Sequence, residues 1–96
     1  MKKAYLSGKI SGIPIEEARV KFQNAENHLI NEGWQVVNPM KNGLPVESTW
    51  LQHMIKDIEL LGECEAIFLM PCWIGSSGAR IEKHFATELG IEIHLI

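Results

Sequence analysis

The chain lacks most of what would mark it as secreted, membrane-embedded or bound to a nucleic-acid polymer. It has two cysteines, Cys64 and Cys72, on either side of one apolar run. If that run is a strand rising ~3.3 Å per residue, the two lie about 20 Å apart, too far for a direct disulfide. Both are expected as reduced thiols in a reducing compartment. Lys2 and Lys3 precede only a short apolar run before Gly8, so neither a signal peptide nor a membrane span is expected, and the expected location is cytoplasmic. His28, His53, His84 and His94 show no ligand spacing with one another or with the cysteines. Neither a metal nor a cofactor is therefore expected. The net charge of −3, with no Lys/Arg stripe, argues against a phosphate-backbone binder and leaves a single mononucleotide open as a ligand. Low-complexity tracts and solenoid-length repeats are missing as well.

What remains is an ordinary globular composition, 46% hydrophobic and 22% charged over 96 residues. One domain over residues 1–96 is expected, burying somewhat more than ~60% of its unfolded surface. With so small a core, a ligand cavity should lie at an edge or between subunits, and a homo-dimer or larger homo-oligomer is expected.

The chain alternates strand and helix. Ala4-Tyr5-Leu6 is a first strand, followed by the loop Ser7-Gly8-Lys9-Ile10-Ser11-Gly12-Ile13-Pro14. Ile15, Ala18, Phe22, Ala25 and Leu29 recur at helical spacing, with Glu16, Glu17, Arg19, Lys21 and Glu26 on the charged side. Trp34 to Val37 is a second strand closed by Asn38-Pro39, and residues 40–49 form a loop able to shape a pocket. A second helix is expected from about Thr49 to Gly62, with Leu51, Met54, Ile55, Ile58 and Leu61 as its packed stripe and Ser48 or Thr49 as its cap. Ala66 to Met70 is apolar on both faces, as a central parallel strand should be. A flexible loop through Pro71 and Gly75-Ser76-Ser77-Gly78 leads to a third helix, capped by Ser77 and ending at Gly90. Ile91 to Ile96 alternates as an edge strand with one wet face, on which His94 is expected to be solvated.

This βαβ alternation implies an α/β three-layer sandwich, flavodoxin- or Rossmann-like, with a four-stranded parallel sheet in the order 2-1-3-4. In that order the loops after the first and third strands face each other across the crevice where such folds bind ligands. Gly8-Lys9 is not part of a nucleotide-triphosphate loop, because no glycine stands five residues before the lysine and Ile10 stands where Ser or Thr is needed.

Glu82 is the informative residue. Ala79, Phe85, Ala86 and Leu89 lie three, four and seven positions from it, so its carboxylate falls in the apolar stripe of the third helix. A carboxylate there is either paired for structural reasons or chemically employed. Asp57 borders the stripe of the second helix, and a solvated flank position is equally consistent with its spacing.

Tyr5-Leu6-Ser7-Gly8, Asn38-Pro39, Asp57 and Ser76-x-Gly78-x-x-x-Glu82 resemble the nucleoside 2-deoxyribosyltransferase superfamily. That superfamily includes the 2'-deoxynucleoside 5'-monophosphate N-glycosidases and a branch of small, DUF4406-like proteins. The resemblance implies that Glu82 is a nucleophile toward C1' of a 2-deoxyribosyl group, that Tyr5 orients its carboxylate, and that Asp57 is the acid/base beside the leaving base. Such chemistry suits two carboxyl groups, since one can form a glycosyl ester while the other protonates the departing base. The implied substrate-binding set is Ser7, Gly8, Ile10, Asn38, Trp73, Ser76, Ser77 and Gly78. Ser76 stands where the monophosphate glycosidases have a phosphate-contacting Ser and the transferases tend to have an Asp, which favours a nucleotide, with hydrolysis over base transfer. Trp73 or Trp50 could stack on the base. Ser11 stands where the glycosidases carry an Arg, and the chain stops at Ile96 without the family's C-terminal extension. These two departures motivate the alternative of a nucleotide-binding module without useful catalysis. A glycohydrolase acting on another ribosylated molecule would use the same carboxylates.

Overall fold

The computed structural model describes residues 2–96. Strands β1 (Lys3–Ser7), β2 (Gln35–Val37), β3 (Ala66–Leu69) and β4 (Glu92–Leu95) alternate with helices α1 (Ile15–Asn31), α2 (Trp50–Leu61) and α3 (Ser77–Leu89). Every strand pair is parallel and the order is β2-β1-β3-β4, as the alternation predicts. From β1 the chain steps one way to β2, then back past β1 to β3 and β4. Right-handed crossovers therefore place α1 on one face and α2 with α3 on the other.

The strand pleat sorts the core into two halves. Ala4 and Leu6 of β1 join Ala66 and Phe68 of β3 beneath Phe22 and Leu29 of α1. The intervening residues, Tyr5 of β1 with Ile67 and Leu69 of β3, pack against Leu61 of α2 and Ala86 of α3. Ser7 continues the Tyr5 face and is fully buried.

Several expectations need correction. The α2 stripe is narrower than its hydrophobic pattern suggests: Met54, Asp57 and Leu61 are buried, whereas Leu51 is 60% and Ile55 54% exposed. The buried line of the helix is the one on which Asp57 sits, and Leu51 and Ile55 fall outside it. Thr49 is the α2 cap, in a reciprocal box with Gln52. Ser76, not Ser77, caps α3 by accepting the Ala79 N–H, because the chain is already helical at Ser77. The segment Pro71–Gly75 is a 3-10 turn instead of an open loop, and a second such turn spans Pro39–Lys41. On β4, Ile93 and Leu95 are exposed although they pair with Ile67 and Leu69 of β3, which are buried. His94 is half-buried, its ring stacked 4.6 Å from that of Phe68 with Trp34 edge-on nearby.

Two glycines allow close approaches. A Cβ on Gly8 would meet the Met70 terminal methyl at 2.5 Å and Cys72 Sγ at 3.4 Å, so a side chain there would push the end of Met70 aside where the β1 loop passes the end of β3. A Cβ on Gly78 would meet Met54 Sδ at 3.2 Å, which sets how closely α2 and the start of α3 approach.

The split on α2 is testable. Leu61→Ala should destabilise the protein by about 2–5 kcal/mol in urea unfolding, while Leu51→Ala should stay within about 0.5 kcal/mol.

Candidate active site

Tyr5 and Ser7 lie two apart on β1 and so project from the same face, toward α3. The Ser76 cap starts α3 where Glu82 comes over those two side chains. Tyr5 Oη–H donates to Glu82 Oε2 at 2.8 Å, and Ser7 Oγ–H donates to Oε1 at 2.7 Å. Glu82 is 5% exposed, and among the described residues no cation pairs with it. Structural ion pairing is thereby removed as the reason for this buried carboxylate.

A cavity of about 290 Å³ opens in front of Glu82, at the C-terminal ends of β1 and β3. Gly8, Ile10 and Ser11 wall it on one side, and Ser76 and Gly78 on the other. From α2 come Trp50, His53, Met54 and Asp57, with Asn42 arriving from the preceding loop. Asp57 is 5% exposed and its Oδ1 accepts from Asn42 Nδ2 at 3.0 Å, so it is neither solvated nor a flank residue.

The structure therefore brings Gly8, Ile10, Asp57, Ser76, Gly78 and Glu82 to one cavity, with Tyr5 and Ser7 behind Glu82. Three expected residues lie elsewhere. Asn38 is spent on local structure: its Oδ1 accepts from Met40 N–H, its Nδ2 donates to Glu26, and it borders a separate, more open hollow beside α1. Trp73 packs on the Ile67 and Leu69 side of the core, with the Lys83 ammonium 5.5 Å from its ring centre, and Trp50 lines the cavity in its place. Ser77 is exposed in the first turn of α3.

Asn42, His53 and Arg19 line the cavity without having been singled out. His53 and Asp57 are four apart on one helix, a spacing that places both on one face and was available as a signal. Arg19 belongs by pattern to the charged side of α1, and only the fold shows that this edge borders the crevice. Cys72 ties two crevice loops together, its Sγ accepting from Lys9 N–H at 3.2 Å and Lys21 Nζ at 3.0 Å. Cys64 and Cys72 are both free thiols.

A family model described as a domain of unknown function, DUF4406, matches residues 2–95. The chain belongs to that family. No curated protein matches the sequence. Among solved structures, a 2-desoxiribosyltransferase from Leishmania mexicana superposes with a TM-score of 0.76 at 17% identity, covering 100% of this chain and 64% of that one. The two share a fold, and the DUF4406 chain spans about two thirds of the length of that neighbour. Among the described residues, no helix is long and apolar enough to cross a membrane.

In this DUF4406 chain, burial pushes the Glu82 carboxyl up to about 7, against the opposing pull of the Ser7 and Tyr5 hydrogen bonds. The Asp57 carboxyl adds to the upward push, and Asp57 is itself raised by burial despite the Asn42 bond. Burial and the Glu82 charge hold Tyr5 well above its ordinary value, so it stays a donor. Burial thus works against the charged form of both carboxyls.

Because Glu82 binds its proton more tightly folded, at about 7 against an ordinary 4.5, stability is fullest below the ordinary value and falls as pH rises through 7. The loss should approach ~3 kcal/mol. Urea midpoints at about pH 5 and about pH 8 should differ accordingly in the unsubstituted protein and much less in Glu82→Gln.

Proposed function

We propose that the protein cleaves the N-glycosidic bond of a 2'-deoxynucleotide or deoxynucleoside, with water favoured over a second base as acceptor of the sugar. The observation that carries this reading is the buried Glu82 carboxylate, held at each oxygen by one donor and facing a cavity that also contains Asp57. The deoxyribosyltransferase fold of the structural neighbour supports it.

In the proposed reaction Glu82 attacks C1' as the bond from C1' to the base nitrogen breaks. The electron pair of that bond leaves with the base, which takes a proton from Asp57. Water, giving a proton to Asp57, then attacks C1' of the glycosyl ester and frees both the sugar and Glu82. Tyr5 and Ser7 hold the carboxylate in place throughout, and both favour its charged form.

Two residues favour a 5'-phosphate. Ser76 Oγ accepts from Ala79 N–H and so keeps its own hydrogen to donate, at the N-terminus of α3, where an anion is favoured. Arg19, paired with Glu16 on α1, lines the cavity and brings a guanidinium where the loop offers only Ser11. We also propose self-association, through the exposed apolar side chains Leu51 and Ile55 of α2 and Ile81 of α3. Sedimentation should then show a dimer or larger species that Leu51→Asp with Ile81→Asp dissociates, and a monomer at every concentration measured would end that proposal.

The decisive assay is incubation with a panel of deoxynucleosides and their monophosphates, with free base measured by chromatography. Glu82→Ala should lower base release by at least about a thousandfold, and Asp57→Asn by ~10²–10⁴-fold, both without loss of fold. Release should fall as pH drops below about 7 and Glu82 takes up its proton. Equal turnover by Glu82→Ala and the unsubstituted protein would remove Glu82 from the reaction.

A further inference from the structure

The loop before α2 carries a side chain whose hydrogen bonds are completely determined. Asn42 Oδ1 lies 3.0 Å from the backbone N–H of Leu44. A backbone N–H can only donate, so the atom it meets must be the amide oxygen, and the amide nitrogen is left facing α2. That nitrogen has two hydrogens and two partners, Asp57 Oδ1 at 3.0 Å and His53 Nδ1 at 3.0 Å. An amide nitrogen cannot accept, so His53 Nδ1 must carry a lone pair. The ring is then neutral and bears its hydrogen on Nε2.

The same bonds assign the rest of the site. With Oδ1 of Asp57 accepting, a proton taken up by Asp57 goes to Oδ2, which has no protein partner among the described residues. No buried side-chain polar atom is left unpartnered among those residues, so Oδ2 is open to the cavity that Asp57 lines. His53 lines that cavity too, with Nε2–H as its one uncommitted polar group.

We propose that Asn42 is a positioning residue of this site: through one amide it presents Asp57 Oδ2 as the proton donor to the leaving base and His53 Nε2–H as a second donor to an acceptor atom on that base. The ligand edge that fits is one offering two acceptors. The kinetic part rests on the glycosidic reading above, while the hydrogen-bond pattern does not.

The experiment has two arms. Long-range ¹H–¹⁵N correlation spectra of the unsubstituted protein report the His53 tautomer. A hydrogen on Nε2 supports the proposal, and a hydrogen on Nδ1 overturns it. In the second arm, Asn42→Ala is compared with the unsubstituted protein on a deoxynucleotide and on a 2-deoxyribosyl 4-nitrophenolate with the same 5' substituent, whose leaving group departs without a proton. Release of base should fall at least about tenfold, part of the ~10²–10⁴ that a general acid contributes, while nitrophenolate release should stay within about threefold of the unsubstituted rate. Equal losses on both substrates, or no loss on either, would overturn the positioning role. If the unsubstituted protein releases neither base nor nitrophenolate, the glycosidic reading fails and the kinetic part with it, and the His53 tautomer still decides the hydrogen-bond pattern.

Discussion

A carboxylate inside an apolar helix face is the constraint around which this molecule is arranged. Glu82 is tolerated there because two hydroxyls from one strand meet its two oxygens, and removing either would leave a buried oxygen without its donor. The arrangement needs three things at once. The pleat must turn Tyr5 and Ser7 to the same side, α3 must begin at the Ser76 cap, and Glu82 must fall on the buried line of α3 with Ala79 and Ala86.

The polar chemistry is distributed over both helices of that face. Glu82 is supported from below by the sheet, whereas Asp57 is supported from the side by a loop residue that also fixes His53. The two carboxyls therefore have different kinds of support. Glu82 has donors on both oxygens and little freedom, while Asp57 has one committed oxygen and one free. That asymmetry suits a pair in which one member must keep its charge and the other must hand over a proton. Burial works against charge on both.

The strand order, the two-sided burial of β3 and the inward direction of Glu82 were legible because each follows from a period or an alternation that the residues state directly. Asn38, Trp73 and Ser77 were misplaced for a different reason. Each was assigned to the site by a short motif, and a short motif does not say whether a side chain is already committed to its own neighbourhood. Asn38 closes a 3-10 turn, Trp73 packs on the core, and the helix begins one residue earlier than Ser77 would require. The packed stripe of α2 was read too wide because apolar spacing cannot distinguish Leu51 and Ile55, which lie beside the sheet, from Met54 and Leu61, which lie on it. Asn42 and Arg19 were invisible for lack of any local pattern: they reach the cavity only through the path of a loop and the placement of a helix edge.

The contact between Gly78 and Met54 has a mechanical corollary. With 3.2 Å between the thioether and the place a methyl would occupy, the Met54 side chain of the helix bearing Asp57 lies against the first turn of the helix bearing Glu82. The spacing of the two acid-bearing helices therefore passes through a flexible thioether, a cushion that can give by a few tenths of an ångström.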